Sequence, residues 1–313
     1  MKMQTVINTK KLQHADWLMA RRKGIGGSDA SIVMGLNKYK TAFELWLDKT
    51  GQVLPDDEAG EAAYWGNQME EVVAKEFEKR TGKKVRRSNM MYQHDDYPFM
   101  LANVDRFVVG EDAILECKTA SAYLAKEWES EEVPAPYLVQ IQHYMAVTGK
   151  NKAYLAVLIG GNKFIWKEVD RDNDLISQIN AFELDFWESH VLGGVPPALD
   201  GSSAAEQYLK ERFAESEERK VMLPAKYKGY LEERETLETD IKILQTRKKE
   251  IDNHIKKEME TADTALVDDY AVSWKSQTQQ RISSEKLKSE FPDVYKKVLT
   301  ETSFRKFTVK EIK

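Results

Sequence analysis

Apolar and polar residues alternate through two short runs near the middle of the chain. Residues 101–109 and 113–118 are rich in β-branched and other apolar residues, and a turn of glycine and acidic residues separates them. This pattern predicts a β-hairpin. Because neighbouring side chains of a strand point to opposite faces, Glu116 and Lys118 share one face, and Asp105 on the partner strand can lie opposite them. Two carboxylates and one amine therefore meet in an otherwise hydrophobic hairpin.

These three charged side chains need compensation if the hairpin is buried, because an isolated buried charge costs several kcal/mol. A divalent metal ion between the carboxylates, with the lysine beside an attacking water, would compensate the charges and hydrolyse a phosphodiester. An amphipathic edge strand with an internal ion pair contains the same residue types. The short pattern leaves both interpretations open.

Helical periodicity precedes and follows this hairpin. Apolar positions predict helices over residues 11–20, 41–50, 62–80, 137–147 and 174–191, a helix or loop over 120–132, and a second hairpin over 153–159 and 163–169. In the 62–80 helix, Glu70 falls on the apolar stripe while Glu71 can point outward. The stripe consists of Trp65, Met69, Val73, Ala74 and Phe77. A carboxylate on that stripe needs a partner, which either the metal site or an arginine would provide.

A glycine-rich segment follows the first predicted helix. Residues 21–35 read RRKGIGGSDASIVMG, in which Ser28 or Asp29 can cap a short helix that Gly35 ends. Backbone N–H groups at a helix start bind anions, and Arg22 would add a bidentate phosphate clamp. The Gly-Lys-Ser/Thr ending of a Walker A loop is missing. A plain glycine turn into a capped helix explains the same residues.

The helix predicted over residues 137–147 offers two further polar side chains. Gln140 can reach a metal-bound water or a phosphate, and it can equally be a surface amide. His143 has no second histidine or cysteine at zinc spacing, so we do not expect a zinc site.

The composition changes after a segment rich in glycine, proline and serine at residues 193–203, which indicates a domain edge. We therefore predict a core of residues 1–200 and an appendage of residues 201–313, built from a long helix and a small β element. The long helix shows heptad spacing of apolar residues from Tyr230 to Ile255, interrupted by Arg234 and Lys248. A strand over 265–273, a helix over 286–299 and an edge strand over 304–310 are predicted to follow.

Composition limits the class of protein. The chain has 313 residues, 42% of them hydrophobic, which is enough for a large core. Its longest apolar run, near Ala153–Ile159, is too short to cross a bilayer. The single cysteine, Cys117, excludes an intramolecular disulfide, and we expect a cytoplasmic protein without a membrane partner. The net charge of −5 does not favour nucleic acid, although residues 21–23 and 79–87 are locally basic.

Several of these segments, in this order, resemble motifs of the lambda-exonuclease-like, YqaJ-type phage recombinase family of PD-(D/E)XK nucleases. The matching segments are residues 22–29, 65–70, 103–105, 115–118 and 140–144. Val104 stands where the superfamily name has proline, and this variation does not touch the carboxylates. The resemblance implies an α/β (α+β) fold with a central mixed β-sheet flanked by helices. It also implies Mg²⁺-dependent digestion of linear double-stranded DNA from the 5′ end.

The resemblance also assigns roles to individual residues. Asp105 and Glu116 would hold Mg²⁺, for which Mn²⁺ would substitute, together with the backbone carbonyl of Cys117. Lys118 would orient or deprotonate the attacking water. Glu70 would bind a second metal ion or its waters. These roles agree with the metal site inferred from the hairpin itself.

Further roles concern the substrate and partners. Arg22 and Ser28 would hold the terminal 5′-phosphate, and Gln140 would assist at the metal site. Family members form ring-shaped homotrimers that thread DNA, and they work beside a single-strand annealing protein. Two other classes stay open: an endonuclease with the same metal chemistry, and a catalytically inert DNA-binding or assembly subunit that uses the heptad helix.

Overall fold

The structure, a computed structural model, describes residues 4–53, 60–300 and 304–311. It divides into two compact units, Met1–Arg212 and Phe213–Lys313. The strands of the first unit are β1 (Gln4–Asn8), β2 (Val85–Arg87), β3 (Met90–Gln93), β4 (Leu101–Ala102), β5 (Arg106–Val108), β6 (Ala113–Ala120), β7 (Lys152–Ile159) and β8 (Lys163–Asp170). Its helices are α1 (His14–Arg22), α2 (Gly27–Val33), α3 (Ala42–Lys49), α4 (Gly60–Thr81), α5 (Ala135–Thr148), α6 (Asn173–Asp185) and α7 (Ser203–Arg212). Residues Ala122–Trp128 form a 3₁₀ helix, and Phe186–Leu192 continue α6 as a π-helical segment.

A five-stranded sheet in the order β2-β5-β6-β7-β8 forms the centre of the first unit. Strands β6 and β7 are parallel and the other neighbours are antiparallel, so the sheet is mixed. Alternation along β6 places Leu115 in a cluster with Phe77 of α4, and Ile114 in a cluster with Ile141 of α5. Helices therefore cover both faces of the sheet. The predicted fold, a central mixed sheet flanked by helices, is confirmed.

The predicted hairpin forms, but its first strand is shorter than expected. Strand β5 pairs with β6, whereas Leu101 lies in β4 of a second sheet with the order β1-β3-β4. The N–H of Leu101 donates to the carbonyl of Ile25 at 2.8 Å. Its own carbonyl lies 2.9 Å from Nε2 of the buried His143, whose Nδ1 lies 2.8 Å from Glu183 Oε1. These contacts hold residue 101 away from the β5–β6 hairpin, and they give His143 a structural partner.

Helix α4 buries a shorter stripe than the periodicity predicts. Val73, Ala74 and Phe77 are buried, but Trp65 is 53% exposed and its ring N–H donates to Glu61 at 2.9 Å. The first half of α4 therefore does not pack in the core.

The first unit ends later than the predicted boundary between residues 200 and 201. Helix α7 packs on α3: the Tyr208 ring lies 5.3 Å from that of Phe43 and 5.9 Å from that of Trp46, and Ala205 is buried. Burial of these apolar groups joins α7 to the first unit.

The second unit contains α8 (Lys226–Met259), the hairpin β9 (Thr264–Val267) and β10 (Tyr270–Ser273), α9 (Ser284–Glu290) and α10 (Pro292–Val298). The single strand predicted over 265–273 is thus a hairpin, because Asp268 adopts a positive φ of 46° in the turn.

The helix predicted over 286–299 is divided in two. Pro292 cannot continue a helix and disfavours helical backbone at Phe291, where φ is −134° and ψ is 60°. No strand forms over the described tail, residues 304–311, where Arg305 donates to the carbonyl of Phe213 at 3.0 Å. Within the residues that the structure describes, no helix combines the length and the apolar character needed to span a bilayer.

Candidate active site

Strand β6 and helix α5 bring three of the predicted catalytic side chains into direct contact. Glu116 is 3% exposed, and its Oε1 accepts from Lys118 Nζ at 2.8 Å and from Gln140 Nε2 at 2.8 Å. Gln140 Nε2 also donates to the hydroxyl of Tyr144 at 3.2 Å. The two-residue period of β6 and the four-residue spacing on α5 align these groups on facing surfaces. Gln140 is thus a buried side chain that donates a hydrogen bond to the Glu116 carboxylate, and it is not a surface amide.

Asp105 joins this site where the pairing of β5 and β6 ends. Arg106, the first residue of β5, pairs with Leu115, so the N–H of Cys117 lies beyond the start of β5. Asp105 Oδ2 accepts from that N–H at 2.8 Å, and the carbonyl of Asp105 accepts from the N–H of Ser88 at 3.0 Å. The end of the strand pairing therefore fixes the Asp105 side chain beside β6.

The electrostatics of the site favour a bound cation. Burial raises the pKa of Asp105 well above its usual range, and the charges of Glu116 and Glu70 raise it further. Burial also raises the pKa of Glu116, although the charge of Lys118 opposes that effect. Burial would lower the pKa of Lys118, but the carboxylates of Glu116 and Asp105 raise it overall. Lys118 therefore stays protonated, which suits it to donate hydrogen bonds.

These side chains line a cavity of about 380 Å³. Its lining includes Trp17, Arg21, Ser28, Glu70, Arg87, Asn103, Asp105, Glu116, Lys118, Gln140 and Tyr144. Two of the lining oxygens, Glu116 Oε2 and Asn103 Oδ1, are buried without a hydrogen-bond partner among the described residues. An unsatisfied buried acceptor is costly, and a hard cation would satisfy it. The unpartnered carboxylate oxygen of Glu116, the unpartnered amide oxygen of Asn103 and the neighbouring carboxylate of Asp105 therefore fit Mg²⁺, which proteins commonly bind through one or two carboxylates.

The structure differs from the sequence prediction at Glu70. Its Oε1 is paired with Nη1 of the buried Arg106, which also donates to the carbonyl of Asp105 at 2.9 Å. Arg106 Nη2 binds Glu71 Oε2 at 2.9 Å. Within residues 4–53, 60–300 and 304–311, no group of three or more His, Cys, Asp or Glu side chains is gathered to hold a metal ion. Glu70 lines the cavity but is held by an arginine, the alternative that its position on α4 had left open.

Arg22, predicted to clamp a phosphate, lies elsewhere. Its Nε donates to Asp48 Oδ1 at 2.9 Å, and its Nη2 donates to the carbonyl of Val53. Arg21 lines the cavity instead, and its Nη2 donates to the hydroxyl of Ser28 at 2.9 Å. Neighbouring residues of a helix point about 100° apart, so only one arginine of the pair can face the cavity.

Glycines allow the close approach of backbone segments that frame the cavity. A Cβ at Gly24 would lie 2.2 Å from the carbonyl oxygen of Phe99, and one at Gly27 would lie 2.4 Å from the ring of Tyr144. Neither of the two predicted caps is the N-cap of α2, which is Gly26; Asp29 is the third residue of the helix, and its Oδ2 accepts from the N–H of Gly26 at 3.0 Å.

A buried ion pair fixes the Asp29 side chain. Lys49 Nζ lies 2.7 Å from Asp29 Oδ2 and donates to the carbonyl of Arg21 at 3.0 Å. Burial alone would raise the pKa of Asp29, but the charges of Lys49 and Arg21 hold it well below its usual range. This pair ties α3 to the end of α1 and to α2, and so positions Arg21 at the cavity.

Comparisons with known proteins identify the family of this chain. Residues 16–151 match the YqaJ-like viral recombinase domain, a range that includes every side chain named above as lining the cavity. Over 312 residues the chain is 54% identical to YqaJ of Bacillus subtilis (strain 168), covering 99% of this chain and 98% of that protein. The chain belongs to the YqaJ family. The family resemblance of its five motifs is confirmed.

Two solved structures are similar to this YqaJ-family chain. The alkaline exonuclease LHK-Exo from Laribacter hongkongensis superposes with a TM-score of 0.49 at 19% identity, over 64% of this chain and 97% of that one. A phage-related exonuclease from Haemophilus somnus 129PT superposes with a TM-score of 0.44 at 16% identity, over 55% and 96% of the two chains.

The lining residues of this YqaJ-family site that were not assigned a role from sequence include Arg21, Tyr144 and Asn103. A local signal existed for the first, because Trp17 stands four residues before Arg21 and the guanidinium lies 4.8 Å from that ring. The spacing of Gln140 and Tyr144 is a similar signal. The sequence around Asn103 contains none, because its position depends on how β4 leaves the hairpin.

Proposed function

We propose that this YqaJ-family protein is a Mg²⁺-dependent exonuclease. It would digest linear double-stranded DNA in the 5′→3′ direction from 5′-phosphorylated ends and leave 3′ single strands for phage-type recombination. The observation that supports this most directly is the buried carboxylate of Glu116, which has one unpartnered oxygen and whose other oxygen binds Lys118 and Gln140. A buried, incompletely satisfied carboxylate beside a protonated amine matches a metal-dependent hydrolase better than a structural ion pair.

In this proposal Asp105, Glu116 and the backbone carbonyl of Cys117 hold the metal ion. When bound, Mg²⁺ supplies a water of lowered pKa and neutralises charge that develops on the phosphate. Lys118 donates a hydrogen bond to the attacking water or to a phosphate oxygen, since its raised pKa keeps it protonated. Gln140 fixes the Glu116 carboxylate through its 2.8 Å hydrogen bond.

The substrate end would bind at the other side of the same cavity. Arg21 and Ser28 are hydrogen-bonded to each other at 2.9 Å and line the cavity, so a terminal 5′-phosphate can contact both. We assign the phosphate clamp to Arg21 in place of Arg22. A 5′-phosphate held there would place the adjoining phosphodiester toward Glu116 and Lys118. The strand that is left would pass to a single-strand annealing protein in the cytosol of the host cell.

Digestion of end-labelled duplex DNA tests this proposal. Linear duplexes labelled at the 5′ or at the 3′ end, with and without a 5′-phosphate, are incubated with the full-length protein and either Mg²⁺ or EDTA, beside closed circular DNA. We expect labelled mononucleotide to be released first from 5′-phosphorylated ends, only with Mg²⁺, and circular DNA to stay intact. Cleavage of the circle would identify an endonuclease, and binding without hydrolysis would identify an inert subunit. Either result would refute the exonuclease assignment.

A further inference from the structure

Helix α8 carries a heptad seam over most of its length, in which two of the eight positions are basic. The seam advances in alternating steps of four and three residues, with Tyr230, Leu237, Leu244 and Ile251 at d positions and Arg234, Ile241, Lys248 and Ile255 at a positions. The six apolar members are each between 38% and 68% exposed. A helix of 34 residues is about 51 Å long, and a helix in water depends mainly on packing of its apolar face.

Within the second unit, no other helix or strand among the described residues packs along the length of α8. Two basic side chains of α8 contact rings of the same unit: the Arg234 guanidinium lies 5.8 Å from the ring of Phe307, and Lys256 Nζ lies 5.8 Å from that of Trp274. The apolar positions between Leu237 and Ile251 are left uncovered.

The two basic residues in the seam decide how a second copy of α8 would be oriented. In a parallel pair, a positions face each other, so Arg234 would lie against Arg234 of the partner subunit, and Lys248 likewise. When two copies run in opposite directions, a positions face d positions. Arg234 then faces the partner's Ile251 and Lys248 faces the partner's Leu237, which separates the like charges. Desolvating two like charges in contact is costly, so the seam favours the antiparallel arrangement.

The charges that flank the seam favour the same orientation. The g position of each heptad directly precedes an a position, and Glu233, Asp240, Arg247 and His254 occupy these positions in α8. In an antiparallel pair, g positions face g positions. Asp240 then meets Arg247 of the partner subunit, and Glu233 meets the partner's His254. In a parallel pair, Glu233 would instead meet the partner's Glu238, a repulsive contact. Residues 232–240 contain five acidic and one basic side chain, whereas residues 247–257 contain five basic and two acidic ones. Opposed directions bring these two segments together.

We propose that α8 pairs with α8 of a second copy of this chain as an antiparallel two-stranded coiled coil. The pair is centred between Ile241 and Leu244 and forms an isologous interface between copies. Such an interface requires an even number of chains in the assembly, in contrast to the single trimeric ring that the family resemblance implies. This inference is independent of the proposed nuclease activity.

Light scattering on the full-length protein, after size-exclusion chromatography at several concentrations, tests the interface. The wild type should contain an even number of chains. Asp240→Arg places two arginines together at two symmetric contacts and should weaken the pairing about tenfold. The charge exchange Asp240→Arg with Arg247→Asp should restore it. Both positions are solvent-exposed, so we expect each variant to keep its helix content. Circular dichroism measures this.

The result that overturns the proposal is a wild type that is monomeric or only trimeric, or an Asp240→Arg variant that associates as strongly as the wild type. Failure of the charge exchange to restore pairing would also contradict it, since in a parallel pair Asp240 faces Gln245 and the exchange offers no compensation.

Disulfide formation tests the direction independently. Ile255 faces Tyr230 of the partner subunit only in the antiparallel pair. Mixing the Tyr230→Cys and Ile255→Cys variants under mild oxidation should therefore give mixed dimers in preference to dimers of either variant alone. The wild type, whose only cysteine is Cys117, controls for unrelated disulfides. A predominance of same-variant dimers would show parallel pairing and overturn the inference.

Discussion

A methyl group added at Gly27 is expected to disturb both the stability of the first unit and its active site. Gly27 starts α2 and lies against the ring of Tyr144 on α5. A Cβ at this position would lie 2.4 Å from Cε1, 2.7 Å from Cζ and 2.9 Å from Cδ1 of that ring. Carbon atoms in contact are about 3.5–4.0 Å apart, so Gly27→Ala requires a displacement of roughly 1 Å.

The size of the effect follows from what surrounds the ring. Tyr144 is 6% exposed and packed in the main core, so it cannot turn into solvent. Overpacking of this kind costs about 1–3 kcal/mol, and a loss of about 2 kcal/mol lowers the Tm of a domain of this size by roughly 4–8 °C. Because Tyr144 and Glu116 share Gln140 as their donor, a shift of about 1 Å should also reduce kcat about 10- to 100-fold.

The measurement is thermal denaturation followed by circular dichroism, together with the rate of nucleotide release. Gly26→Ala is the matched control for stability, because its Cβ would meet Asp29 Oδ2 at 3.6 Å, an ordinary contact, and φ at Gly26 is −91°. We expect the free energy of unfolding of the control to stay within about 1 kcal/mol of that of the wild type. Alanine is a poorer N-cap residue than glycine, which destabilises the folded state, but alanine also reduces the freedom of the unfolded chain, and these two effects offset each other. Equal Tm values for the two variants would refute the close contact of α2 and α5.

Three further predictions concern the site. Lys118→Ala should abolish hydrolysis and leave DNA binding intact in fluorescence anisotropy; near-full Mg²⁺-dependent activity would contradict its role. Arg21→Ala should lose the preference for 5′-phosphorylated over 5′-hydroxyl ends. Arg22→Ala, which breaks the contacts with Asp48 and with the carbonyl of Val53, should keep that preference. The opposite outcome would place the phosphate pocket at Arg22. Asp105→Asn should raise the Tm in EDTA at pH 8, and Mg²⁺ should then stabilise the wild type alone. The sign follows from the raised pKa of Asp105 in the folded state. Because the folded protein holds the carboxyl proton more tightly than the unfolded chain, the wild type loses stability as the pH rises above the ordinary value of 3.8. The neutral amide that Asp105→Asn introduces has no proton to lose in this range, so the variant is not destabilised in this way. A Tm below that of the wild type in EDTA would contradict this.

Local patterns predicted which face a side chain occupies. Alternation along residues 113–118 placed Glu116 and Lys118 together, and their 2.8 Å contact agrees with this. The period of two follows from strand geometry alone and needs no knowledge of neighbouring segments. The same holds for α4, whose end at Gly82 follows from a glycine that takes a positive φ of 72°.

Partners distant in the chain could not be predicted in this way. The sequence offered Glu70 either a metal ion or an arginine, and the packing of α4 beside β5 selected Arg106. It could not distinguish Arg21 from Arg22, because that choice depends on how α1 is rotated against α3. There Asp48 binds Arg22, and Lys49 holds the end of α1.

The sequence by itself therefore determined the main helices and the central hairpins of the first unit, the family to which the chain belongs, and the residue types of its site. Only the tertiary structure decided which charges pair and which buried oxygens stay unsatisfied, as Glu116 Oε2 does. The physical reason is that periodicity is a property of local backbone geometry, whereas electrostatic compensation depends on side chains that meet only after the chain has folded.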